Sequence, residues 1–196
     1  MIVLASTSAS RRRLLSQTGI YFNTAKPPLD EAPVKARFGQ AGASAADVAD
    51  ALAEGKAVSV ADILPGHYVI GADQMLECDG LWFDKPESRD GARRHLQALR
   101  GKTHQLITAA AIAHEGRIVW RHSEVAQMTM RDFSDAFLDQ YLDKAGEGLT
   151  SSVGAYELEG LGAQLFARIE GDFFSILGLP VVPVLNALRE AGALPK

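Results

Sequence analysis

Cysteine is almost missing from this 196-residue chain, with Cys78 standing alone. One thiol excludes an internal disulfide and fits a reducing, cytoplasmic setting. Cys78 also has no Cys or His neighbour at metal-ligand spacing, so it reads as an incidental or buried thiol. An excess of positive charge is missing too. Lys and Arg number 20 against 24 Asp and Glu, giving a net charge of -4 and a pI near 5.7. That balance excludes broad, sequence-independent nucleic-acid binding and leaves room only for a local basic patch. No apolar run approaches the roughly 20 residues of a membrane span. The opening MIVLAS lacks a charged segment and is not expected to act as a signal peptide. There is no G-x-x-x-x-G-K-[ST] loop, no G-x-G-x-x-G fingerprint and no G-x-S-x-G elbow. The five histidines form no i,i+4 ligand pair.

What is present is ordinary globular material, with 47 % apolar and 22 % charged residues. A chain of this length can bury a core without staples and reads as one domain, 1–196, without a clean linker. Ile2 to Ala5 reads as a buried strand, Ser6 to Ser10 as a polar turn, and Arg11 to Gln17 as a helix. Residues 21–40 read as irregular, because Pro27, Pro28 and Pro33 oppose a helix. Ser44 and Asp47 have capping-box spacing before an Ala-rich helix with Val48, Leu52 and Val58 on its apolar stripe. Tyr68 to Ala72 reads as a central strand that delivers Asp73 at its end. Arg89 to Leu99 and Phe133 to Lys144 read as helices. Thr103 to Ala113 and Ile118 to Met130 read as strands joined by a hairpin at Glu115-Gly116. Residues 147–163 read as loop, Leu165 to Ile169 and Phe173 to Leu177 as strands, and Pro180 as the start of a last helix. Interleaved helices and strands with an adjacent strand pair predict an α/β fold with a mixed, twisted sheet flanked by helices.

Five segments could carry chemistry. Ser6 to Arg13 gathers hydroxyls, helix N–H groups and guanidinium forks at a strand-to-helix turn, a natural anion site, although a plain serine cap on a basic helix has the same look. Asp30-Glu31, on a proline-bracketed loop, offers the oxygen ligands that magnesium prefers. Asp73 could hold a metal or take a proton from water. Lys56 and Lys85 could meet developing phosphate charge, though most lysines are simply solvated. Gly154 to Gly162 could let backbone approach a ligand, with Glu159 as a further carboxylate.

The order of these motifs is more specific than any one of them. LAS-x-S at Leu4 to Ser8 leads to Arg11, then come Asp30-Glu31, Lys56-Ala57, Gly71-Ala72-Asp73 and Lys85-Pro86. Gly101 to His104, Gly154-Ala155-Tyr156, Glu159 to Ala163 and Gly178-Leu179-Pro180 complete the series. From Leu4 to Pro180 this resembles the Maf family. The resemblance implies an inosine-triphosphate-pyrophosphatase-like fold with two lobes around a central cleft. It also implies a divalent cation, Mg²⁺ or Mn²⁺, hydrolysis of a nucleoside triphosphate to monophosphate and pyrophosphate, and a homodimer.

Carried over by motif, Ser6, Ser8 and Arg11 bind phosphate, joined by Arg12, Gln74 and Glu159 as substrate contacts. Glu31, Asp73 and Glu159 form the metal set, Asp73 is the general base, and Lys56 and Lys85 stabilise the triphosphate. Ser10 stands where many members have the first arginine of S-P-R-R, Gln74 where many have threonine, and Glu159 where many have glutamine. At these three positions the chain resembles the branch acting on 7-methyl-GTP, whereas its Gly-Ala-Tyr resembles the pyrimidine branch. Two other readings stand beside the enzyme: a nucleotide-binding regulator of cell division without turnover, and a phosphatase releasing orthophosphate.

Overall fold

The computed structural model describes residues 1–146 and 148–196. The strands are β1 Ile2–Ala5, β2 Asn23–Ala25, β3 Tyr68–Cys78, β4 Leu81–Phe83, β5 Thr103–His114, β6 Arg117–Met130 and β7 Phe166–Glu170. The helices are α1 Ala9–Gln17, α2 Glu31–Gln40, α3 Ala45–Ala61, α4 Arg89–Leu99 and α5 Asp135–Ala145, followed by α6 Gly148–Ser151, α7 Phe173–Ile176 and α8 Val181–Glu190. A 3-10 helix covers Leu161–Leu165. The strands form one mixed sheet in the order β2-β1-β3-β5-β6-β7, with β4 paired to β3 off that path. β1 runs parallel to β2 and β3, while β4 is antiparallel to β3 and β7 to β6. This is the expected mixed α/β class.

The chain divides into two compact units. Met1–Gln74, Thr108–Glu124 and Asp172–Lys196 make the first. Strand alternation sends Ile2, Leu4, Ile70, Ala72, Ala110 and Ile112 into one core, where they meet Leu14 and Leu15 of α1 and Val184 and Leu188 of α8. Burying each such leucine or isoleucine contributes roughly 2 kcal/mol. Gly71 and Asp73 of β3 face α3, whose Ser44 cap and Asp47 form the capping box expected from their spacing. Gly71 sets how near α3 comes. A Cβ there would sit 2.2 Å from the Ala53 carbonyl oxygen and 2.6 Å from the Ala57 nitrogen.

Met75–Ile107 and Val125–Gly171 make the second unit. Its helices α4, α5 and α6 pack on one another through buried Leu96, Leu99, Leu138, Leu142 and Leu149. Arg89, Arg93 and Arg100 pair with Asp143, Asp139 and Asp135 at the surface. Exposed pairs of this kind add little beside the leucines.

Four local expectations change. Residues 21–40 hold β2 and α2, because Pro33 falls in the first turn of α2, where no N–H is required, and Asp30 caps it. β3 does not stop at Ala72. It runs to Cys78, since Met75, Leu76 and Cys78 are buried and β4 pairs with it across an Asp79-Gly80 turn with both φ positive, at 54° and 80°. Phe173–Ile176 is helix rather than strand, because the Asp172 carboxylate accepts from the Ser175 N–H at 2.8 Å and caps the turn. Within 147–163 the described residues carry α6 and the start of the 3-10 helix, and Glu147 lies outside the described residues.

Gly71→Ala should therefore destabilise the chain by about 2 kcal/mol or more, as overpacking against backbone does. Urea unfolding checks this, and a midpoint equal to wild type would show that α3 can retreat freely.

Candidate functional site

The odd-residue face of β3 that carries Gly71 also carries Asp73, two residues on. α3 brings Lys56 to it from between Ala53 and Ala57, so the close packing at Gly71 sets up the pair. The Lys56 Nζ donates to Asp73 Oδ1 at 2.6 Å and lies 2.8 Å from Glu31 Oε1. Asp73 and Lys56 are each only 6 % exposed, whereas the Glu31 side chain is 43 % exposed. Glu31 begins α2 just beyond the Asp30 cap, and Leu29 before it rests on Gly55 of α3. A buried charge left without a partner costs several kcal/mol, so this ammonium and these carboxylates are mutually required.

Arg11 completes the cluster. Its Nε donates to the Gly178 carbonyl oxygen at 2.8 Å. Burial draws the guanidinium below its ordinary value, while the fields of Asp73 and Glu31 hold it up. It stays cationic, as arginine does throughout the working range. Burial works against ionisation of Glu31, yet the hydrogen bond and charge of Lys56, with Lys35 and Arg11, carry its carboxyl below the ordinary value. Before α1, Ser6 Oγ accepts from the Ser8 N–H at 3.1 Å, and Ser8 Oγ accepts from the Arg11 N–H at 3.4 Å. The polar turn and helix N-terminus predicted at 6–11 are thus built as a unit.

The structure gathers Glu31, Lys56, Asp73 and Arg11. Arg12 and Gln74, also named from the sequence, point away from that cluster. Arg12 is exposed and lines a separate hollow of about 530 Å³ with Ser16 and residues 19–24. Gln74 points to the opposite face of β3 from Asp73, where its amide nitrogen donates to Thr108 Oγ1 at 2.9 Å and to the Ser175 and Ile176 carbonyls at 3.1 Å each. Lys85 and Glu159 belong to the second unit and are exposed. Among the described residues, no three or more His, Cys, Asp or Glu side chains are grouped for a metal ion. The pair Glu31 and Asp73 still fits magnesium, which uses one or two carboxylates and completes its shell with phosphate oxygens and water. Lys56 takes Oε1 of one carboxylate and Oδ1 of the other, leaving the second oxygen of each as a ligand.

The glycine-rich segment of the second unit is firmly built. Tyr141 Oη donates to the Ala155 carbonyl oxygen at 3.0 Å, and Ser152 Oγ accepts from the Tyr156 N–H at 3.0 Å. His104 Nε2 and Tyr156 Oη are 2.9 Å apart, and burial drops the imidazole to about 4. His104 Nδ1 is buried without a hydrogen-bond partner. Sequence reasoning left His104 among five unassigned histidines, although it ends the Gly101 to His104 motif.

Chemically, the cluster in the first unit can bind an anion through Arg11, hold a cation on paired carboxylates and take a proton at Asp73. The chain belongs to the Maf family, whose model, described as Maf-like protein, matches residues 1–191. A relative from Paramagnetospirillum magneticum named nucleoside triphosphate pyrophosphatase is 54 % identical, covering 98 % of this chain and 99 % of that one. One of the same name from Rhodospirillum rubrum is 51 % identical, covering 98 % and 96 %. A 7-methyl-GTP pyrophosphatase from Brucella abortus is 47 % identical, covering 96 % and 94 %.

Lys56→Met should cost about 3 kcal/mol by leaving Asp73 buried and unpaired, and Asp73→Asn in the same chain should restore part of the loss. Additive losses in urea unfolding would mean the two side chains are not coupled. A second expectation concerns pH. The unfolded His104 takes a proton at its ordinary 6.5 and the folded one only near 4. Stability is therefore complete above pH 6.5 and falls as pH drops towards 4, by something on the order of 3 kcal/mol for this group. Unfolding midpoints measured across that window should slope less steeply in His104→Gln.

Proposed function

We propose that the chain hydrolyses a nucleoside triphosphate to its monophosphate and pyrophosphate. The observation that carries this reading is the buried Asp73–Lys56 pair bridged to Glu31 beside Arg11. Relatives at 47–54 % identity that bear pyrophosphatase names support it.

In this reading Arg11 and the turn at Ser6 and Ser8 receive the triphosphate, guanidinium and backbone N–H groups being suited to phosphate oxygens. An ammonium has three donors. Lys56 uses two on Asp73 and Glu31 and turns the third to a phosphate oxygen. Asp73 takes the proton of the water that attacks the α-phosphorus. The bond from that phosphorus to its β-bridging oxygen breaks, and pyrophosphate departs. A divalent cation, Mg²⁺ or Mn²⁺, would be held by Glu31 and Asp73, and would supply neutralising charge and polarisation there. The setting is cytoplasmic and the assembly a homodimer.

Ion-exchange analysis of products from UTP, dTTP, CTP, GTP and 7-methyl-GTP tests the reaction. Monophosphate with pyrophosphate is expected, and Asp73→Asn should lower turnover at least a hundredfold, the scale set by loss of a general base. The base turned over fastest assigns the branch. Stepwise orthophosphate, or full turnover in both Asp73→Asn and Glu31→Gln, would refute the assignment.

A further inference from the structure

Four successive carbonyl oxygens, from Ser175 to Gly178, each accept a hydrogen bond from a side chain in the first unit. Thr108 Oγ1 donates to Ser175 at 2.8 Å, and Gln74 Nε2 donates to Ser175 and Ile176 at 3.1 Å. Ser10 Oγ donates to Leu177 at 2.8 Å, and Arg11 Nε donates to Gly178 at 2.8 Å. Helix α7 is four residues long and could not persist alone. Its end would leave carbonyls without intrahelical partners. Here β3, β5 and α1 supply those partners, and the Asp172 carboxylate fixes the other end. Gly178 has φ of +108°, a conformation open to glycine, and a Cβ there would sit 3.5 Å from Arg11 Nε.

We infer that this row of carbonyls is the positioning element for Arg11, and that Thr108 and Ser10 are positioning residues acting through it. Thr108 is only 1 % exposed, which bars it from substrate, yet its hydroxyl holds the turn whose last carbonyl orients the guanidinium. With Nε fixed on Gly178, the two terminal nitrogens form a fork of set direction, the geometry that bidentate phosphate binding needs. Ser10 occupies the position next to Arg11, so it ties down the first turn of α1 against the same turn. The inference rests on Arg11 as a phosphate ligand, part of the reading above, but not on turnover.

Calorimetry with inorganic tripolyphosphate and Mg²⁺ measures Arg11 directly, without catalysis. Thr108→Val should weaken binding about fivefold, Thr108→Ser should restore it, and Ser10→Ala should weaken it to a similar degree. In an Arg11→Lys background, which lacks Nε, neither change should add to the loss. With the fastest nucleotide, KM should rise by the same factor while kcat stays within twofold. Unchanged binding, or an equal loss in the Arg11→Lys background, would overturn the inference, as would a wild-type chain that does not bind tripolyphosphate. Should Thr108→Val fail to fold, Ser10→Ala decides alone. Tripolyphosphate binding without pyrophosphate release from any nucleotide would remove the hydrolase reading and leave this one standing.

Discussion

One ammonium group shared by two carboxylates is the constraint around which the first unit is arranged. Lys56 lies inside, and so does Asp73, and neither could remain there charged without the other. Meeting that condition requires α3 to lie almost on the backbone of β3, which requires Gly71. It also requires α2 to begin at Glu31, which the Asp30 cap and the seating of Leu29 on Gly55 provide. Features far apart in the sequence thus answer to one electrostatic demand. A hydrophobic pair would fill the same space at lower desolvation cost, so the charged pair is not the cheapest way to stabilise this core.

The second unit solves a different problem. A segment rich in glycine and serine has no apolar stripe to fold it, and its order comes from individual polar bonds. Tyr141 and Ser152 each hold a backbone group, and His104 shares a hydrogen bond with the Tyr156 hydroxyl. The imidazole is kept neutral by burial, so it can serve as a fixed hydrogen-bonding strut without bringing a charge into the core.

What the sequence made legible follows from which forces leave a periodic trace. Helices α3 and α4 and the β5–β6 hairpin were readable, because capping residues, apolar spacing and a Glu115-Gly116 turn are local signals. α2 was not, since Pro33 looks like a breaker until its place in the first turn is known. α7 was hidden for a related reason: its Phe-Phe start suggests a strand, and only the Asp172 cap and distant side-chain donors make it helical. Of the candidate residues, Glu31, Lys56, Asp73 and Arg11 could be named from motif order, but their mutual distances could not. Thr108 carried no signal, because a threonine in a strand looks the same whether its hydroxyl is idle or holds a turn in place.

Asp73 and Gln74 are neighbours in the chain, yet the pleat sends them to opposite faces of β3. Asp73 looks to α3 and the ion cluster, and Gln74 to the Ser175 and Ile176 carbonyls of α7. One strand thus reaches the ion cluster by two routes, directly through Asp73 and, through Gln74, by way of the turn that seats Arg11. A replacement at 74 would therefore be felt at the Gly178 carbonyl and in the direction of the guanidinium it holds.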